Sequence, residues 1–474
     1  MSAFEISSEL KSAFLVNRSK IEGRLDPYFY KPIFQELTKK LRAVSHTNLG
    51  SLVSFSAESW DQKQFFGSSF PYIEISEINT STGEINVVRQ VSKDQAPSRA
   101  KKIVREGDII VSTTRPSRGA ISFISNTYNF HIASTGFSVL RGLKTEAVSK
   151  RYLFFMLRQH FSLKQMEQRS SGGNYPAITE DELKQIVIPL SDEAKQQQVI
   201  EIFSAAFTEK SQKEAQAAEQ ISRIDRYLLT ELGISVPEAD DALEHRMFTV
   251  NFSESSGKRF DPLFFYKNFL DQVPAGRFPV EPLSRHVTYF QTGFAAGKGD
   301  QSTDSTEVIQ LRPTNLTDDR ELVFDRNVYI HRDALTKRPG DIMQPGEVLF
   351  NNTNSQKLVG KSVLFDLDDE YFCSNHMTRI GTAGSLHPDY LAHLLNLYQR
   401  QKVFFRICTN WNNQSGANNG VLSGLLIPIP PIDQQKAIAR TITDLRSSAK
   451  KLRQEAKDEL EKARLEVERM ILEE

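Results

Sequence analysis

Two long stretches of the chain carry apolar residues at steps of three and four. Residues 191–232 and 433–474 contain no proline or glycine, and their apolar side chains recur with the period of a coiled-coil seam. The predicted seam residues are Val199, Ile202, Ile221, Ile224 and Leu228 in the first stretch and Ile438, Ile442, Leu445, Leu452 and Val467 in the second. Each stretch predicts a helix roughly 60 Å long. Because one helix cannot bury its own apolar stripe, we expect the two helices to pack on each other.

The regions before the two predicted helices have a different pattern, in which short apolar runs alternate with turn residues. Residues 108–111 and 347–350 are typical of β-strands, and helical stretches follow at residues 152–157 and 390–395. Each region therefore predicts a mixed α/β domain of about 165 residues, which is large enough for a core of its own.

Similar strings recur in the two halves of the chain. Residues 107–111 are matched at 346–350 and residues 188–190 at 427–429, both at an offset of 239 positions. Matches in the same order at a nearly constant offset indicate an internal duplication. We predict a first domain at 1–190, a spacer helix at 191–232, a linker at 233–258, a second domain at 259–432 and a second spacer helix at 433–474. A pseudo-two-fold relation between the halves would make the helices antiparallel, so the predicted fold class is α+β with two tandem mixed α/β domains separated by a coiled-coil helix pair.

An Arg-x-Asp-Pro string followed by aromatic residues opens both domains. It comprises Arg24, Asp26 and Pro27 in the first half and returns at residues 259–262. Although the string looks like part of a site, its position at the start of both domains favours a turn and an ion pair that anchor the fold.

Composition limits the class of protein. The 474 residues are 39% hydrophobic and 25% charged, as in a folded protein, and Cys373 and Cys408 form no Cys-x-x-Cys pair. A disulfide framework and a cysteine zinc cluster are therefore excluded. Glu5 and Glu9 occupy the region where a signal peptide needs an apolar core, and no run approaches 18 apolar residues. We expect a cytoplasmic protein with no membrane association.

Charge is unevenly divided along a chain that is neutral overall. Residues 24–190 hold 22 basic and 15 acidic side chains, whereas residues 259–432 hold 17 and 18. The excess in the first domain is concentrated in Lys101, Lys102, Arg105, Arg115 and Arg118, which are candidates for contacts to DNA phosphates. A solvated charged surface is the alternative interpretation of such a cluster.

Two polar loops occupy equivalent places in each half. Residues 113–119 correspond to 351–357, and residues 169–175 correspond to 410–420. Arginine can form two hydrogen bonds to guanine, and asparagine or glutamine can do so to adenine. The candidate DNA-contacting residues are Thr113, Thr114, Arg115, Ser117, Arg118, Ser171, Asn174, Tyr175, Asn351, Asn352, Asn354, Ser355, Gln356, Lys357, Asn412, Asn413 and Gln414. Since asparagine, serine and glycine also form ordinary turns, a purely structural role remains open at this point.

Known catalytic and metal-binding patterns are missing from the sequence. Residues 293–299 have three residues between the glycines of a supposed phosphate loop, instead of four, and Gly299 where a magnesium-binding hydroxyl is needed. The nine histidines form no metal-binding spacing. We expect no catalytic centre, no metal and no cofactor.

Two strings make the sequence resemble a known family. Residues 346–355, which run into 358–362, and residues 427–438 at the entry to the second long helix resemble the specificity subunit of type I restriction–modification systems. The duplicated layout fits that family over nearly the whole chain. The first half departs from the pattern, because residues 191–194 read Ser-Asp-Glu-Ala where the second half has Pro-Pro-Ile-Asp. Ser191 is an acceptable N-cap for the first helix, and the acidic residues after it favour a first turn there.

The resemblance implies a non-catalytic DNA-recognition protein. In this family each target-recognition domain reads one half of a bipartite site in the major groove of double-stranded DNA, and the helices set the spacing and dock two methyltransferase subunits. Restriction subunits, which translocate DNA, join that assembly. Arg115, Arg118, Asn352 and Asn354 are the leading candidates for DNA contact.

Two other functions are compatible with the same residues. An autonomous sequence-specific DNA-binding protein or a regulatory decoy would keep the reading loops and lack methyltransferase partners. A coiled-coil scaffold without a nucleic-acid role would need neither the loops nor the basic cluster.

Overall fold

The computed structural model describes residues 14, 16–18, 21, 24–61, 67–235, 249–255, 265, 276–411 and 414–473. The chain divides into two compact units. Unit 1 comprises residues 1–214 and 453–474, and unit 2 comprises residues 215–452. Within the described ranges, no helix combines the length and the apolar character needed to cross a bilayer.

Unit 1 is built from two four-stranded sheets and flanking helices. Its strands are β1 His46–Asn48, β2 Val53–Phe55, β3 Ser69–Ile73, β4 Arg89–Ser92, β5 Ala100–Ile103, β6 Ile109–Ser112, β7 Ile121–Phe123, β8 Ile132–Ser134, β9 Phe137–Leu143 and β10 Val187–Pro189. Its helices are α1 Pro32–Ala43, α2 Leu49–Leu52, α3 Lys150–Arg158, α4 His160–Arg169, α5 Glu180–Lys184 and the first half of α6 Glu193–Leu232. The sheets have the strand orders β2-β9-β6-β7 and β4-β3-β8-β5, and β1 pairs with β10. Strand β6 is fully buried, as its continuous apolar run predicts.

Unit 2 repeats this architecture. Its strands are β11 Val280–Pro282, β12 Val287–Thr292, β13 Gln301–Ser302, β14 Val308–Leu311, β15 Val328–Ile330, β16 Glu347–Asn351, β17 Thr353–Asn354, β18 Ser362–Phe365, β19 Tyr371–Cys373, β20 Met377–Thr382, β21 Thr409–Trp411, β22 Gln414–Gly416 and β23 Leu426–Pro428. Its helices are α7 Phe252–Ser255, α8 Ala334–Lys337, α9 Pro388–Arg400, α10 Val403–Ile407, α11 Asn419–Ser423 and the first half of α12 Ile432–Leu472. The strand orders are β12-β20-β16-β18, β13-β15-β14-β19 and β17-β22-β21, and β11 pairs with β23.

Hydrogen bonds to matching residues tie each long helix to its own domain. The side chain of Gln196 accepts from the backbone of Ser149 at 2.8 Å and donates to the carbonyl of Ala147 at 2.7 Å. In unit 2 the side chain of Gln435 accepts from the backbone of His387 at 2.8 Å and donates to the carbonyl of Ser385 at 3.0 Å. The two glutamines lie 239 positions apart, so the duplication extends to individual hydrogen bonds.

A carboxylate–arginine pair is also repeated in the central sheets. Asp108 pairs with Arg141 at 2.9 Å in unit 1, and Glu347 pairs with Arg379 at 2.6 Å in unit 2. The second pair is almost completely buried, with 3% and 4% of the two side chains exposed. Each pair joins the start of one central strand to its neighbour, β6 to β9 and β16 to β20.

The long helices pack along equivalent seams in the two units. In unit 1, Val199 and Phe203 of α6 belong to the same buried cluster as Ala463 and Val467 of α12. Further along α6, Lys213 lies 3.2 Å from Glu459 of α12. From the contact region of Val199 and Val467 to this ion pair, the residue number rises in α6 and falls in α12, so the two helix segments are antiparallel. The predicted fold class, α+β with antiparallel long helices, is confirmed.

The seam of unit 2 uses residues 239 positions away from those of unit 1. Ile224 and Leu228 of α6 are buried in one cluster with Ile438 and Ile442 of α12. Three further predicted seam residues are partly buried against the two clusters: Ile202, Ile221 and Leu445. Leu452 is partly buried and belongs to neither cluster.

The first long helix starts later than expected. Helix α6 begins at Glu193, and the side chain of Asp192 accepts a hydrogen bond from the backbone of Lys195 at 2.8 Å. Asp192 is therefore the N-cap, one residue after Ser191, the acceptable cap in the sequence. The division into units falls within both long helices, and the predicted domain boundaries stay predictions.

The anchoring role predicted for the Arg-x-Asp-Pro string fits its contacts in unit 1. Arg24 lies 2.9 Å from Asp26 and 3.2 Å from Glu182, and the side chain of Asp26 accepts from the backbone of Phe29. The second copy, at residues 259–262, lies outside the described residues.

Candidate nucleic-acid interface

The two candidate loops of unit 1 meet beyond the end of β6. Thr114 and Ala177 form an isolated antiparallel bridge, and the backbone of Ile178 donates to the carbonyl of Thr113 at 2.9 Å. The backbone of Arg115 donates to the carbonyl of Pro176 at 2.7 Å. Segments about 60 residues apart in sequence therefore form one surface.

Arg115 is the central side chain of this surface. Its backbone is left-handed, with φ at 49°, and its guanidinium donates twice to the carbonyl of Asn174, at 2.7 and 3.2 Å. The same guanidinium lies 4.2 Å from the centre of the Tyr175 ring, a cation–π distance. Two of its five N–H groups are thus used internally, and the arginine orients Tyr175, whose side chain is 69% exposed.

Part of the predicted basic cluster is neutralised by internal ion pairs. Arg105 forms a two-point ion pair with Glu58 at 2.5 and 2.9 Å, and Lys102 lies 3.3 Å from Glu180. The guanidinium of Arg105, together with that of Arg141, lowers the pKa of the Glu58 carboxyl to about 2. The cluster is therefore less basic toward a ligand than its composition suggests.

The remaining candidates of unit 1 differ in exposure. Thr113 donates through its hydroxyl to the carbonyl of Gly136 at 3.0 Å and is partly buried, as are Thr114 and Ser117. The exposed candidates are Lys101, Arg118, Ser171, Asn174 and Tyr175.

The corresponding loops of unit 2 meet in the same way. Strand β17 pairs with β22, with Thr353 opposite Gly416 and Asn354 opposite Ser415. The backbone of Ala417 donates to the carbonyl of Asn352 at 2.9 Å, a contact 239 positions from that between Ile178 and Thr113.

Two predicted DNA-contacting residues of unit 2 are buried and make hydrogen bonds inside the protein. Asn351 is 1% exposed and donates to the carbonyl of Leu358 at 3.0 Å. Asn352 is 6% exposed, donates to the Thr378 hydroxyl at 2.9 Å and accepts from the Thr353 hydroxyl at 2.8 Å. Because their side-chain N–H groups are used inside the protein, these asparagines hold the loop in shape in this structure, and their contact with DNA stays a prediction.

Other candidates in unit 2 also make local contacts. Asn354 accepts from the backbone of Ser355 at 2.8 Å, and Gln356 donates to the carbonyl of Phe405 at 2.7 Å. Ser355, Lys357 and Gln414 are exposed. Asn412 and Asn413 lie outside the described residues.

A cavity of about 630 Å³ lies beside the junction of these loops. Its wall includes Thr292 and Thr378, which lie outside the candidate loops, and Trp411 and Asn419, which lie in the loop 410–420 but were not among the candidate DNA-contacting residues. Trp411 is 46% exposed, although tryptophan is usually well buried. The sequence contained a signal for this position, because Trp411 is one of only two tryptophans in the chain and lies in a stretch rich in asparagine.

Known proteins provide an independent comparison. A family model described as "Type I restriction modification DNA specificity domain" matches residues 38–223 and 333–462. Over 101 residues the chain is 31% identical to the putative type I restriction enzyme MjaX specificity subunit of Methanocaldococcus jannaschii, a match that covers 21% of this chain and 24% of that protein. Over 110 residues it is 29% identical to the type I restriction enzyme HindI specificity subunit of Haemophilus influenzae, with coverage of 23% and 24%. The matches thus span about a quarter of the length of these curated relatives.

A solved structure shares the fold over most of its length. It is described as "Structural basis underlying complex assembly and conformational transition of the type I R-M system". The TM-score is 0.52 at 19% sequence identity, and the alignment covers 89% of this chain and 95% of the other. At this identity the similarity concerns the fold alone.

Proposed function

The chain belongs to the type I restriction–modification DNA specificity family, and on this premise we propose that it is a non-catalytic subunit that directs its complex to a DNA sequence. Each unit reads one half of a bipartite site in double-stranded DNA. The two halves differ in sequence because the exposed side chains of the two loop surfaces differ.

One observation carries the proposal. Two loops distant in sequence converge in each unit through backbone contacts 239 positions apart, as between Ile178 and Thr113 and between Ala417 and Asn352. The backbone framework is therefore repeated, whereas Arg115 and Tyr175 on one surface are replaced by Asn354 and Gln414 at the equivalent positions of the other. Equal frameworks with unequal exposed groups fit the reading of two dissimilar half-sites.

The long helices supply the second part of the proposal. Helices α6 and α12 are continuous over 40 and 41 residues, and they alternate buried seam positions with exposed ones. We propose that their length fixes the separation of the half-sites and that their exposed faces dock two methyltransferase subunits, with which restriction subunits assemble.

Selection from a random library of double-stranded DNA tests this function. The full-length chain, alone and with its methyltransferase partners, is used to retain DNA, and the retained fragments are sequenced. We expect two dissimilar short motifs at a fixed spacing, enriched more strongly with the partners because unit 2 has no excess of basic residues. Equal, sequence-independent retention in both cases would contradict the proposal.

Size-exclusion chromatography separates this function from that of an autonomous DNA-binding protein or decoy. We expect a stable complex of one chain with two methyltransferase subunits. Selection of a motif without any such complex would favour the autonomous protein.

A further inference from the structure

The indole ring of Trp411 is fixed in place at one edge of the unit 2 cavity. Trp411 pairs with Gln414 in the β21–β22 hairpin, and its ring lies against Gly416. A Cβ atom at Gly416 would lie 2.6 Å from the ring, so the close approach requires glycine there. With the ring held on one side by backbone and 46% of the residue exposed, an aromatic surface is available to a ligand.

The cavity beside this ring offers polar groups suited to the edge of a planar ligand. Its volume of about 630 Å³ lies within the range of roughly 300–1,000 Å³ found for small-molecule sites. Asn419 donates to the carbonyl of Phe290 at 3.4 Å, while its own side-chain oxygen is buried and accepts no hydrogen bond from the described residues. A buried acceptor without a donor is unfavourable, and a rotation of the Asn419 side chain on ligand binding would let this oxygen accept a hydrogen bond from the ligand.

The charge of the cavity is compatible with a nucleic acid. The residues of its wall are threonines, asparagines, glycines, an alanine and Trp411, with no carboxylate among them. A ligand with phosphates would therefore meet no repelling group in the wall itself.

We propose that this cavity binds one nucleobase of the DNA after the base has left the duplex, an inference that rests on the proposed function. The face of the base stacks on Trp411, and a donor group on its edge points toward Asn419. Bases that leave the duplex are held in proteins by stacking on aromatic side chains and by hydrogen bonds to their edges. The position 239 residues earlier is Gly172, which has no side chain to stack. Trp411 therefore has no counterpart at the equivalent position of unit 1, and we place the base-holding site in unit 2.

Tryptophan fluorescence tests the stacking directly. The chain has two tryptophans, and Trp60 lies in unit 1, where its ring packs on Phe70 at 4.5 Å. In the Trp60→Phe variant we expect the selected DNA to quench the remaining fluorescence of Trp411, because a stacked base quenches indole emission. In the matched Trp411→Phe variant we expect no DNA-dependent change. Unchanged emission of the Trp60→Phe variant at saturating DNA would overturn the proposal.

Binding to altered DNA tests whether the base leaves the duplex. Mismatches and abasic sites are placed in turn at each position of the half-site read by unit 2. At one position, a mismatch that keeps the recognised base should strengthen binding severalfold, since the unpairing cost is lower. An abasic site there, or Trp411→Ala, should weaken binding about 5- to 150-fold, whereas Trp411→Phe retains most of it. The proposal would be overturned if mismatches weakened binding at every position and if Trp411→Ala bound the DNA as tightly as the wild type.

Two controls separate possible failures. Thermal unfolding of each variant establishes that the substituted chain is folded before its binding is compared. If the wild type selects no DNA sequence, the proposed function itself fails. If the wild type selects a bipartite motif, and Trp411→Ala selects the same motif with the same affinity, only the inference about the cavity fails.

Discussion

The two units solve the same packing problem with different side chains where the domain helix meets the long helix. In unit 1, Phe155 of α3 stacks on Phe203 of α6, with ring centres 4.5 Å apart and planes 11° apart, and Phe207 lies 6.0 Å from Phe155. In unit 2 the equivalent position of α9 holds His393, which is 7% exposed. The positions of α12 that correspond to Phe203 and Phe207, 239 residues later, hold Ile442 and Arg446.

This difference shows that divergence between the copies does not by itself mark a functional residue. Phe155 and His393 differ in chemistry, yet both are buried and serve the packing of a helix on its domain. Tyr175 and Trp411 also differ, but they are exposed on the loop surfaces. Divergence together with exposure is the signal that separates a reading surface from a repacked core.

The residues common to both copies identify the framework. Tyr152 donates through its hydroxyl to the carbonyl of Pro189 at 3.1 Å, and Tyr390 donates to that of Pro428 at 2.9 Å. Gln196 and Gln435 make matching contacts at the start of the long helices. Substitutions at framework positions should therefore have similar effects in both units, and substitutions at exposed loop positions should not.

The largest effect is expected at the helix seam. Leu228 and Val467 are fully buried at positions 239 apart, so replacing either with aspartate places an unpaired charge in an apolar cluster. We expect Leu228→Asp and Val467→Asp each to lower the free energy of unfolding by roughly 3–5 kcal/mol. Denaturant unfolding measures this, with Ser222→Asp on the exposed face of α6 as the control. A large loss at one position and none at the other would break the equivalence of the units.

A smaller effect is expected at the glutamines that tie the long helices to their domains. Gln196→Ala or Gln435→Ala removes the hydrogen bonds that tie the start of each long helix to part-buried backbone groups of its own domain. Thermal and denaturant unfolding should show a loss of about 2 kcal/mol for each. Gln197→Ala, one residue further on an exposed face, should be nearly neutral. If the two buried glutamines differed widely in effect, their matching hydrogen bonds would not contribute equally to the stability of the two units.

The seam was predictable from the sequence because its signal is local. The period of apolar residues identifies Val199, Ile224, Leu228, Ile438 and Ile442 without knowledge of any distant contact. The repeat also predicts which loops are equivalent, since a constant offset aligns residues 113–119 with 351–357.

The roles of individual polar side chains were not predictable, because they depend on partners far along the chain. Asn352 is held by Thr378, 26 residues later, and Lys102 pairs with Glu180, 78 residues later. Composition alone does not distinguish an exposed asparagine from one that is buried and paired. Trp411 required the hairpin geometry and its contact with Gly416 to become a candidate.

Acidification should destabilise unit 2 through His393, which replaces Phe155 of unit 1. Burial, reinforced by Arg446 on α12 and Arg400 on its own helix, lowers the pKa of His393 to about 3, while Asp389 lies 3.4 Å away on the same helix. The unfolded chain, in which histidine has a pKa near 6.5, binds the proton more readily. Stability from this group is therefore complete above about pH 6.5 and is lost as the pH falls toward 3.

The substitution His393→Phe gives unit 2 the residue type of Phe155 in unit 1 and should remove this acid sensitivity. We expect the midpoint of unfolding of the wild type to fall more steeply between pH 6.5 and 4 than that of the variant, with the two closer at pH 8. The exposed His46→Phe is the control and should follow the wild type. Parallel curves for His393→Phe and wild type would show that the histidine is not kept neutral in the folded state.

The smallest effect concerns how strongly each unit attracts DNA phosphates. Lys101 and Arg118 of unit 1 are exposed, whereas Lys102 is paired with Glu180. Removing one side chain that binds a phosphate should reduce the slope of log affinity against log salt by about one, without changing the selected sequence. We expect such a reduction for Lys101→Ala and for Arg118→Ala, and less for Lys102→Ala. Unit 1 carries 22 basic and 15 acidic residues between positions 24 and 190, whereas unit 2 has no excess of basic residues. We therefore expect unit 1 to attract DNA more strongly than unit 2. A larger change in the salt slope from Lys357→Ala than from Arg118→Ala would contradict this expectation.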